Sequence, residues 1–470
     1  MPVNLLMEIP IIRISVVSFR FSKVNDTVGM HMMGSVLGRL FPRPYPFRPR
    51  PPVILSFVKV LVVGSGGREH AICWKVAQSP LVRELYAAPG NPGMAELAEC
   101  IPWDGDVQWL AEWALREGIE LTLVGPEGPL VEGIADAFMS RGLKIFGPTQ
   151  KAAMIEGSKA FAKGLMERFG IPTAKHRSFS DVIDALAYLE AVGAPIVVKD
   201  SGLAAGKGVT VATSLQQAKQ AVTNILSGPE RAEIVIEEFL SGSEVTVLAV
   251  TDGVTIKPLL PSQDHKRLLD GDTGPMTGGM GAICPYPLAP GLMTEIVERV
   301  LKPLVDGLRA EGIVYKGVIY AGLMLTDDGP KVLEFNARFG DPECQAILPL
   351  LETDLVELAL AVVEGRLHEL EIRWRAQASA CVVMAAPGYP DDPHKGLPLS
   401  LPQLPPEQVL YFQAGTRRGP QGLVTNGGRV LNVVGLGRDL REAIERAYAG
   451  VAAVKFERAI YRRDIGRKVI

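Results

Sequence analysis

The chain predicts a multi-domain α/β protein. A doubly wound parallel sheet stands at its N-terminal end, strand pairs form its centre, and a small α+β unit closes it. Three observations predict this. From Val58 onward, short apolar runs alternate with helical stretches, the β-α-β-α order of a parallel sheet. A hairpin pattern stands far downstream: residues 317–325, the turn Thr326-Asp-Asp-Gly329, and 331–335. At 470 residues the chain exceeds one ordinary core, so roughly two to four domains are expected.

Residues 58–63 open the fold as an apolar strand, Gly64-Ser-Gly66-Gly67 is a tight turn, and 68–78 reads as a helix. Runs at 84–87, 121–124 and 144–146 are further strands, with helices near 107–116 and 129–140. Ligands in such sheets sit at the carboxyl ends of strands. Three turns fall there: 64–67, Pro89-Gly-Asn91 and Gly125-Pro-Glu127. A glycine turn opening a helix offers free N–H groups and the helix dipole to an anion, so Gly66 and Gly67 are candidates for a substrate phosphate. It is not a dinucleotide fingerprint, because G-x-G-x-x-G needs glycine at 69 and Glu69 stands there. Residues 195–199 and 209–212 are strand-like and flank a glycine-rich loop, and 231–240 leads through a third strand into a turn. A helix near 293–311 precedes the hairpin. The last unit begins at 376–386 and ends in the turn 426–428, a strand at 430–434 and a helix at 439–454.

The composition, 47% hydrophobic and 21% charged, is that of a globular protein, and a net charge of −3 gives no global attraction to nucleic acid or anionic lipid. Five scattered cysteines form no Cys-x-x-Cys pair, which argues for a reducing compartment and against a zinc site. No apolar run approaches the length of a membrane span. Residues 1–57 differ from the rest: seven Arg/Lys stand against Glu8 and Asp26, a local +5 that leaves −8 for 58–470. This segment is read as translated upstream sequence with the start near Val58, the alternatives being a transit peptide or a disordered arm. In each case it lies outside the fold.

Two segments carry the chemistry. Lys199-Asp-Ser-Gly-Leu-Ala-Ala-Gly206-Lys207-Gly places two lysines around a loop of small residues. It is not a Walker A loop, since three residues separate the glycines and Gly208 follows Lys207. A mobile glycine-rich flap over phosphates is the better description. In Glu334-Phe-Asn336-Ala-Arg338, alternate residues of a strand share a face, so Glu334 and Asn336 present two oxygens to one hard cation. Mg²⁺ prefers such ligands and leaves its other positions to water and phosphates. Arg338 is suited to a transferring phosphoryl group. The polar, glycine-rich span 262–281 is a substrate-contact candidate; His265 within it has no evident orienting partner.

These segments together resemble the phosphoribosylamine–glycine ligase (glycinamide ribonucleotide synthetase) family of the ATP-grasp superfamily, over about Lys59 to Lys468. The resemblance rests on Gly64-Ser-Gly-Gly-Arg-Glu-His-Ala71, Pro89-Gly-Asn91, Val124-Gly-Pro-Glu127, Gly157-Ser-Lys-Ala160 and the loop 202–209. It continues through Gln263-Asp-His-Lys-Arg267, Asp272-Thr-Gly-Pro275, Thr277-Gly-Gly-Met-Gly-Ala282, 334–343, Val424-Thr-Asn-Gly-Gly-Arg-Val430 and Arg463-Asp-Ile-Gly466. It implies a parallel α/β domain at 58–158, an ATP-grasp domain at 159–375 with a mobile lid at about 175–245, and a C-terminal domain at 376–470. It also implies ATP-dependent joining of glycine to 5-phosphoribosylamine through glycyl phosphate, in purine biosynthesis.

The residue roles it implies are these. ATP lies on Lys159, Lys199, Gly206, Lys207, Glu237, Glu238, Leu240 and Glu244, the hinge strand reading adenine through backbone groups. The metal, Mg²⁺ with Mn²⁺ as the alternative, lies on Glu334 and Asn336. Substrates meet Gly66, Gly67, Asn91, Gly125, Glu127, Asp272, Arg338, Gly340 and Asp341, with Arg338, Lys207 and Asp272 closest to the chemistry. A cytoplasmic monomer, with a weak homodimer as the alternative, and small-molecule partners without nucleic acid or membrane complete the expectation. The chain departs from the family at Asp200-Ser201, where Ala-Asp is usual, and at Ser243, where an acid is common. A different ATP-grasp ligase would bring other acceptor segments, a dinucleotide oxidoreductase is broken by Glu69, and ATP turnover separates an enzyme from a nucleotide sensor.

Overall fold

The computed structural model describes residues 57–203, 208–228, 233–403 and 407–470. The expectations for residues 1–56, Gly206 and Lys207 lie outside the described residues.

The N-terminal sheet has five parallel strands in the order Glu99–Cys100, Val82–Pro89, Val58–Gly64, Leu121–Val124, Ile145–Phe146. Chain order reverses beside Val58–Gly64, and at such a switch point the carboxyl ends of neighbouring strands form a crevice. Turns 64–67 and 125–127 lie at that end. Helix Val107–Glu117 starts where Asp106 accepts from the N–H groups of Gln108 and Trp109, and stops at left-handed Gly118. The single helix expected at 129–140 is two, Glu127–Val131 and Ile134–Met139, because Gly133 turns the chain at φ +90°.

The centre holds two four-stranded antiparallel sheets. One runs His176–Phe179, Ile234–Glu238, Ile196–Asp200, Val209–Ala212, and shares a small separate core with helices Val182–Val192 and Leu215–Leu226. This is the segment expected as the lid. The other runs Ile256–Pro258, Ser243–Thr251, Gly317–Thr326, Gly329–Asn336. Its hairpin carries a bulge: Leu323 faces Val332 but Gly322 faces Glu334, leaving Leu333 as the extra residue. The helix expected near 293–311 runs as Leu292–Ile296, a π-turn Val297–Leu301 and Lys302–Ala310. Pro303 has no N–H for the regular ladder there.

The last large sheet is antiparallel: Gln263–Asp264, Gly281–Cys284, Ala378–Ala385, Arg429–Gly437, Val409–Gln413. Two of its strands come from the central segment, so the C-terminal sheet holds both ends of the glycine-rich span. Helix Leu440–Ala453 lies directly on it: a Cβ at Gly435 would stand 2.3 Å from Ala443 O and Ala447 N. Two histidines stitch these parts together. His70 Nδ1 accepts from Gln413 N at 2.8 Å, and His265 Nε2 accepts from Gly466 N at 3.1 Å. All five cysteines are free, and among the described residues no helix is long and apolar enough to cross a membrane.

Candidate functional site

A cavity of about 380 Å³ opens where the lid sheet, the hairpin sheet, the N-terminal turns and the C-terminal sheet meet. That volume suits a small-molecule site. Its two ends differ chemically.

At the lid end, helix Lys159–Arg168 begins at Ser158, whose hydroxyl accepts from Phe161 N. Lys159 lines the cavity and donates to Gly202 O at 2.9 Å. Burial lowers its pKa, against the pull of Glu334. Lys199, near the end of its strand, donates to Leu333 O at 2.9 Å, the carbonyl of the bulged residue. It also pairs with Glu237 Oε2 at 3.0 Å. Lys163, one helical turn beyond Lys159, pairs with the same oxygen at 3.0 Å and donates to Thr173 Oγ1 at 2.6 Å. Burial brings Lys163 down to about 8, with Glu237 acting the other way. Glu237 is 2% exposed, and its Oε1 finds no hydrogen-bond partner. Glu238, Leu240 and Glu244 also line the cavity.

Deeper in, Glu334 and Asn336 both line the cavity, as alternate residues of one strand. Burial would raise the Glu334 carboxyl, but Lys266, Lys199, Lys159 and Arg338 outweigh it and hold it at about 2. Lys266 stands 3.8 Å from Glu334 and 3.5 Å from Glu244. Asp264 shows the opposite outcome. Burial, reinforced by Glu343, Glu244 and Glu334, lifts it to about 8 despite Lys266. The two carboxylates are thus set by different causes, Glu334 by the surrounding cations and Asp264 by burial and like charge. Among the described residues no group of three or more His, Cys, Asp or Glu could hold a metal ion. Two side-chain oxygens, one from an amide, are what a Mg²⁺ seat completed by water and phosphate requires.

At the other end, Arg338 is gripped by two carboxylates from the N-terminal half: Glu156 at 2.8 Å and Glu127 at 3.2 Å. Glu156 also accepts from Ala337 N at 2.6 Å, which fixes the strand exit. Burial would raise Glu127, yet Arg338 and Arg68 bring it to about 2. Arg68 lines the cavity and donates to Phe339 O at 2.9 Å and Glu69 Oε1 at 2.6 Å. Asp341 also lines it, 3.4 Å from Arg429.

Several expected substrate residues form the wall rather than its surface. Glu69 folds back to accept from Gly66 N at 2.6 Å, capping its own helix. A Cβ at Gly125 would lie 2.1 Å from Glu69 Oε1, so Gly125 makes room for that side chain. Gly67 packs on the C-terminal sheet, where a Cβ would lie 2.1 Å from Asn432 Nδ2. The Asn91 side chain is spent on backbone: its amide nitrogen donates to Ser65 O and Gln413 O, its oxygen accepts from Gly93 N and Met94 N. Gly340 leaves space for Glu343, whose Oε2 would be 2.3 Å from a Cβ. None of these five is among the residues lining the cavity.

Asp272 stands apart from the residues lining the cavity. It sits at φ +53° and pairs with Arg462 at 2.6 Å and Lys468 at 2.5 Å, binding the loop to the C-terminal segment. His265 is a buried structural ring lowered to about 4 by burial and by Arg462. Sequence reasoning passed over Lys163, Glu156, Arg68 and Arg429. Lys163 had a signal, since i and i+4 share a helix face with Lys159, and Arg429 lies in the 424–430 motif.

Comparison with known proteins places this geometry. The family models for phosphoribosylglycinamide synthetase match in chain order: the N domain at 58–156, the ATP-grasp (A) domain at 157–344 and the C domain at 379–468. A phosphoribosylamine–glycine ligase of a Nostoc species is 52% identical over 424 residues, 88% of this chain and all of that protein. The crystal structure of phosphoribosylamine–glycine ligase from Thermotoga maritima superposes with a TM-score of 0.77 at 35% identity, over 87% of this chain and all of that one. The biotin carboxylase domain of the Hydrogenobacter thermophilus 2-oxoglutarate carboxylase, solved with MgADP, shares the fold at TM-score 0.65 and 17% identity, over 86% of this chain and 92% of that one.

Proposed function

The chain belongs to the phosphoribosylglycinamide synthetase family, and we propose that its cavity joins glycine to 5-phosphoribosylamine at the expense of ATP, through glycyl phosphate. The observation that carries this reading is the placement of Glu334, Asn336 and Arg338 in one cavity with Lys159 and Lys199. Every one of these groups serves phosphoryl transfer, and no nucleophile stands among them.

A carboxylate is a poor acyl donor. An oxygen of glycine therefore attacks the γ-phosphorus, the bond to the bridging oxygen breaks, and ADP leaves. The amine of phosphoribosylamine then attacks the acyl carbon, the carbon–oxygen bond to phosphate breaks, and the amine gives up a proton. Phosphate departs with one glycine oxygen. Lys159 and Lys199 supply positive charge beside the nucleotide, Glu244 stands where ribose hydroxyls can donate to it, and Arg338 faces the transferring group. Mg²⁺, or Mn²⁺ in its place, would sit on Glu334 and Asn336 and neutralise the phosphates when bound. Catalysis is then positioning and fixed charge. A cytoplasmic location fits the five free thiols.

The test is Glu334→Ala. ADP formation in the presence of both substrates should fall by more than about 10²-fold, the scale for one preorganised charge-stabilising group. Normal turnover by this variant would move the metal seat elsewhere and overturn the assignment.

A further inference from the structure

Arg462 has no part in the scheme above, yet it is among the largest fully buried side chains of the protein, 1% exposed. It stands in the C-terminal segment and is not among the residues lining the cavity. Its Nε and Nη2 grip the two oxygens of Asp464 at 2.8 Å each, and its Nη1 donates to Asp272 Oδ1 at 2.6 Å and to Arg267 O at 3.2 Å. Gly271 N donates to Asp464 Oδ2 at 2.8 Å, and Arg463 N donates to Asp270 Oδ1 at 2.7 Å. The C-terminal segment is thus tied along a two-stranded hairpin, Arg267–Leu269 with Thr273–Met276. A hairpin that pairs with no further strand is marginal by itself. Among the described residues, no hydrophobic core includes Leu268, Leu269 or Met276, and residues 269–275 are exposed. The placement of the hairpin therefore rests on the polar grip of Arg462 and its neighbours rather than on packing.

Both roots of that hairpin reach the cavity: Lys266 before it, Thr277 and Gly278 after it. Thr277 N and Oγ1 each donate to Lys266 O at 2.8 Å, so the two roots move together. The Lys266 ammonium stands 3.5 Å from Glu244 and 3.8 Å from Glu334. We propose that Arg462 is a positioning residue for the reaction: from outside the cavity it fixes the hairpin whose roots aim Lys266 and set the Thr277–Gly278 edge. The inference rests on the reading of this cavity as a ligase site. A guanidinium suits the task, because its planar fork holds two carboxylates and a backbone carbonyl at once, and a lysine ammonium cannot span them. Lys159, Lys199 and Glu237 reach the cavity from other elements. Turnover therefore depends on the grip of Arg462 and nucleotide binding does not.

The test is Arg462→Lys in the full chain with Mg²⁺. ATP sites are counted by equilibrium binding, and the joining of glycine to 5-phosphoribosylamine is expressed per ATP site. This separates misplacement from a smaller folded fraction, which lowers both counts together. ATP affinity should stay within about threefold of the unaltered chain while turnover per site falls by about 10–10²-fold, the scale for a catalytic group misplaced by about 1 Å. Turnover per site equal to that of the unaltered chain would leave Arg462 a purely structural residue and refute the proposal. ATP affinity lost in step with turnover would refute it too, by extending the effect to the whole site. Should Arg462→Lys not fold, Asp272→Ala gives the second arm, since it loosens the hairpin while Asp464 still holds the guanidinium. Turnover per ATP site should then fall by at least about threefold, a smaller displacement on the same scale, and an unchanged value refutes the proposal. An unaltered chain that binds ATP but joins no glycine to 5-phosphoribosylamine would overturn the ligase reading itself, a result distinct from turnover indifferent to Arg462.

Discussion

The two buried histidines make the assembly of the site sensitive to acid, and His70→Gln tests this quantitatively. His70 is held at about 4 by burial, and His265 at about 4 by burial and the neighbouring Arg462. Each ring nitrogen that accepts a backbone N–H must give up that bond when protonated. The folded chain therefore binds fewer protons than the unfolded chain, whose histidines titrate near 6.5. This stabilisation is complete above pH 6.5 and is lost as pH falls toward 4. At pH 5 the deficit is about 2 kcal/mol per histidine, from about 1.5 pH units at 1.36 kcal/mol each. Together that is about 4 kcal/mol, a large share of a typical total of about 5–15 kcal/mol. Glutamine at position 70 can still accept from Gln413 N but does not titrate. Calorimetric unfolding at pH 5 in buffers of different ionisation heat counts the protons taken up. The variant should take up about one fewer than the unaltered chain. An identical proton count and an identical fall in stability between pH 7.5 and 5 would refute the reasoning.

Gly435→Ala would place a Cβ 2.3 Å from the backbone of helix Leu440–Ala453, where no side chain can rotate away. It should cost at least about 1–3 kcal/mol by thermal scanning; an unchanged transition would mean the helix is not seated as described. Asp272→Ala strips one partner from Arg462, a residue only 1% exposed, and should cost about 1–3 kcal/mol. It should still let hydroxylamine trap glycine hydroxamate, which Glu334→Ala should not. Loss of the trapped product without loss of stability would return Asp272 to the chemistry.

Local patterns were legible in the sequence to the extent that their causes are local. Strands Leu121–Val124 and Val209–Ala212 have the bounds that their apolar runs predict. The two-residue period of a strand placed Glu334 and Asn336 on one face, and the single-residue bulge at Leu333 leaves that relation intact. The division of the 129–140 helix at Gly133 depended on a backbone angle that one glycine permits without demanding. What the sequence could not carry was non-local. Strands Gln263–Asp264 and Gly281–Cys284 join a sheet with residues about a hundred positions away, and that pairing draws the 270–276 loop to Arg462. Gly125 was expected as a substrate contact; what the structure shows to require a glycine there is the Glu69 side chain beside it, which only the fold brings there. Glu156 and Arg429 reach the cavity from distant segments, and the motif at 424–430 that holds Arg429 does not itself show that the side chain meets Asp341.

The central claim is that glycine is activated as glycyl phosphate, and oxygen transfer tests it most directly. Glycine labelled with ¹⁸O in both carboxylate oxygens is turned over with ATP and 5-phosphoribosylamine, and the released phosphate is read by ³¹P isotope shift. The account predicts one ¹⁸O in each phosphate formed, because the oxygen that attacked phosphorus leaves with it. Phosphate released without label, while labelled glycine is incorporated into product, would contradict it.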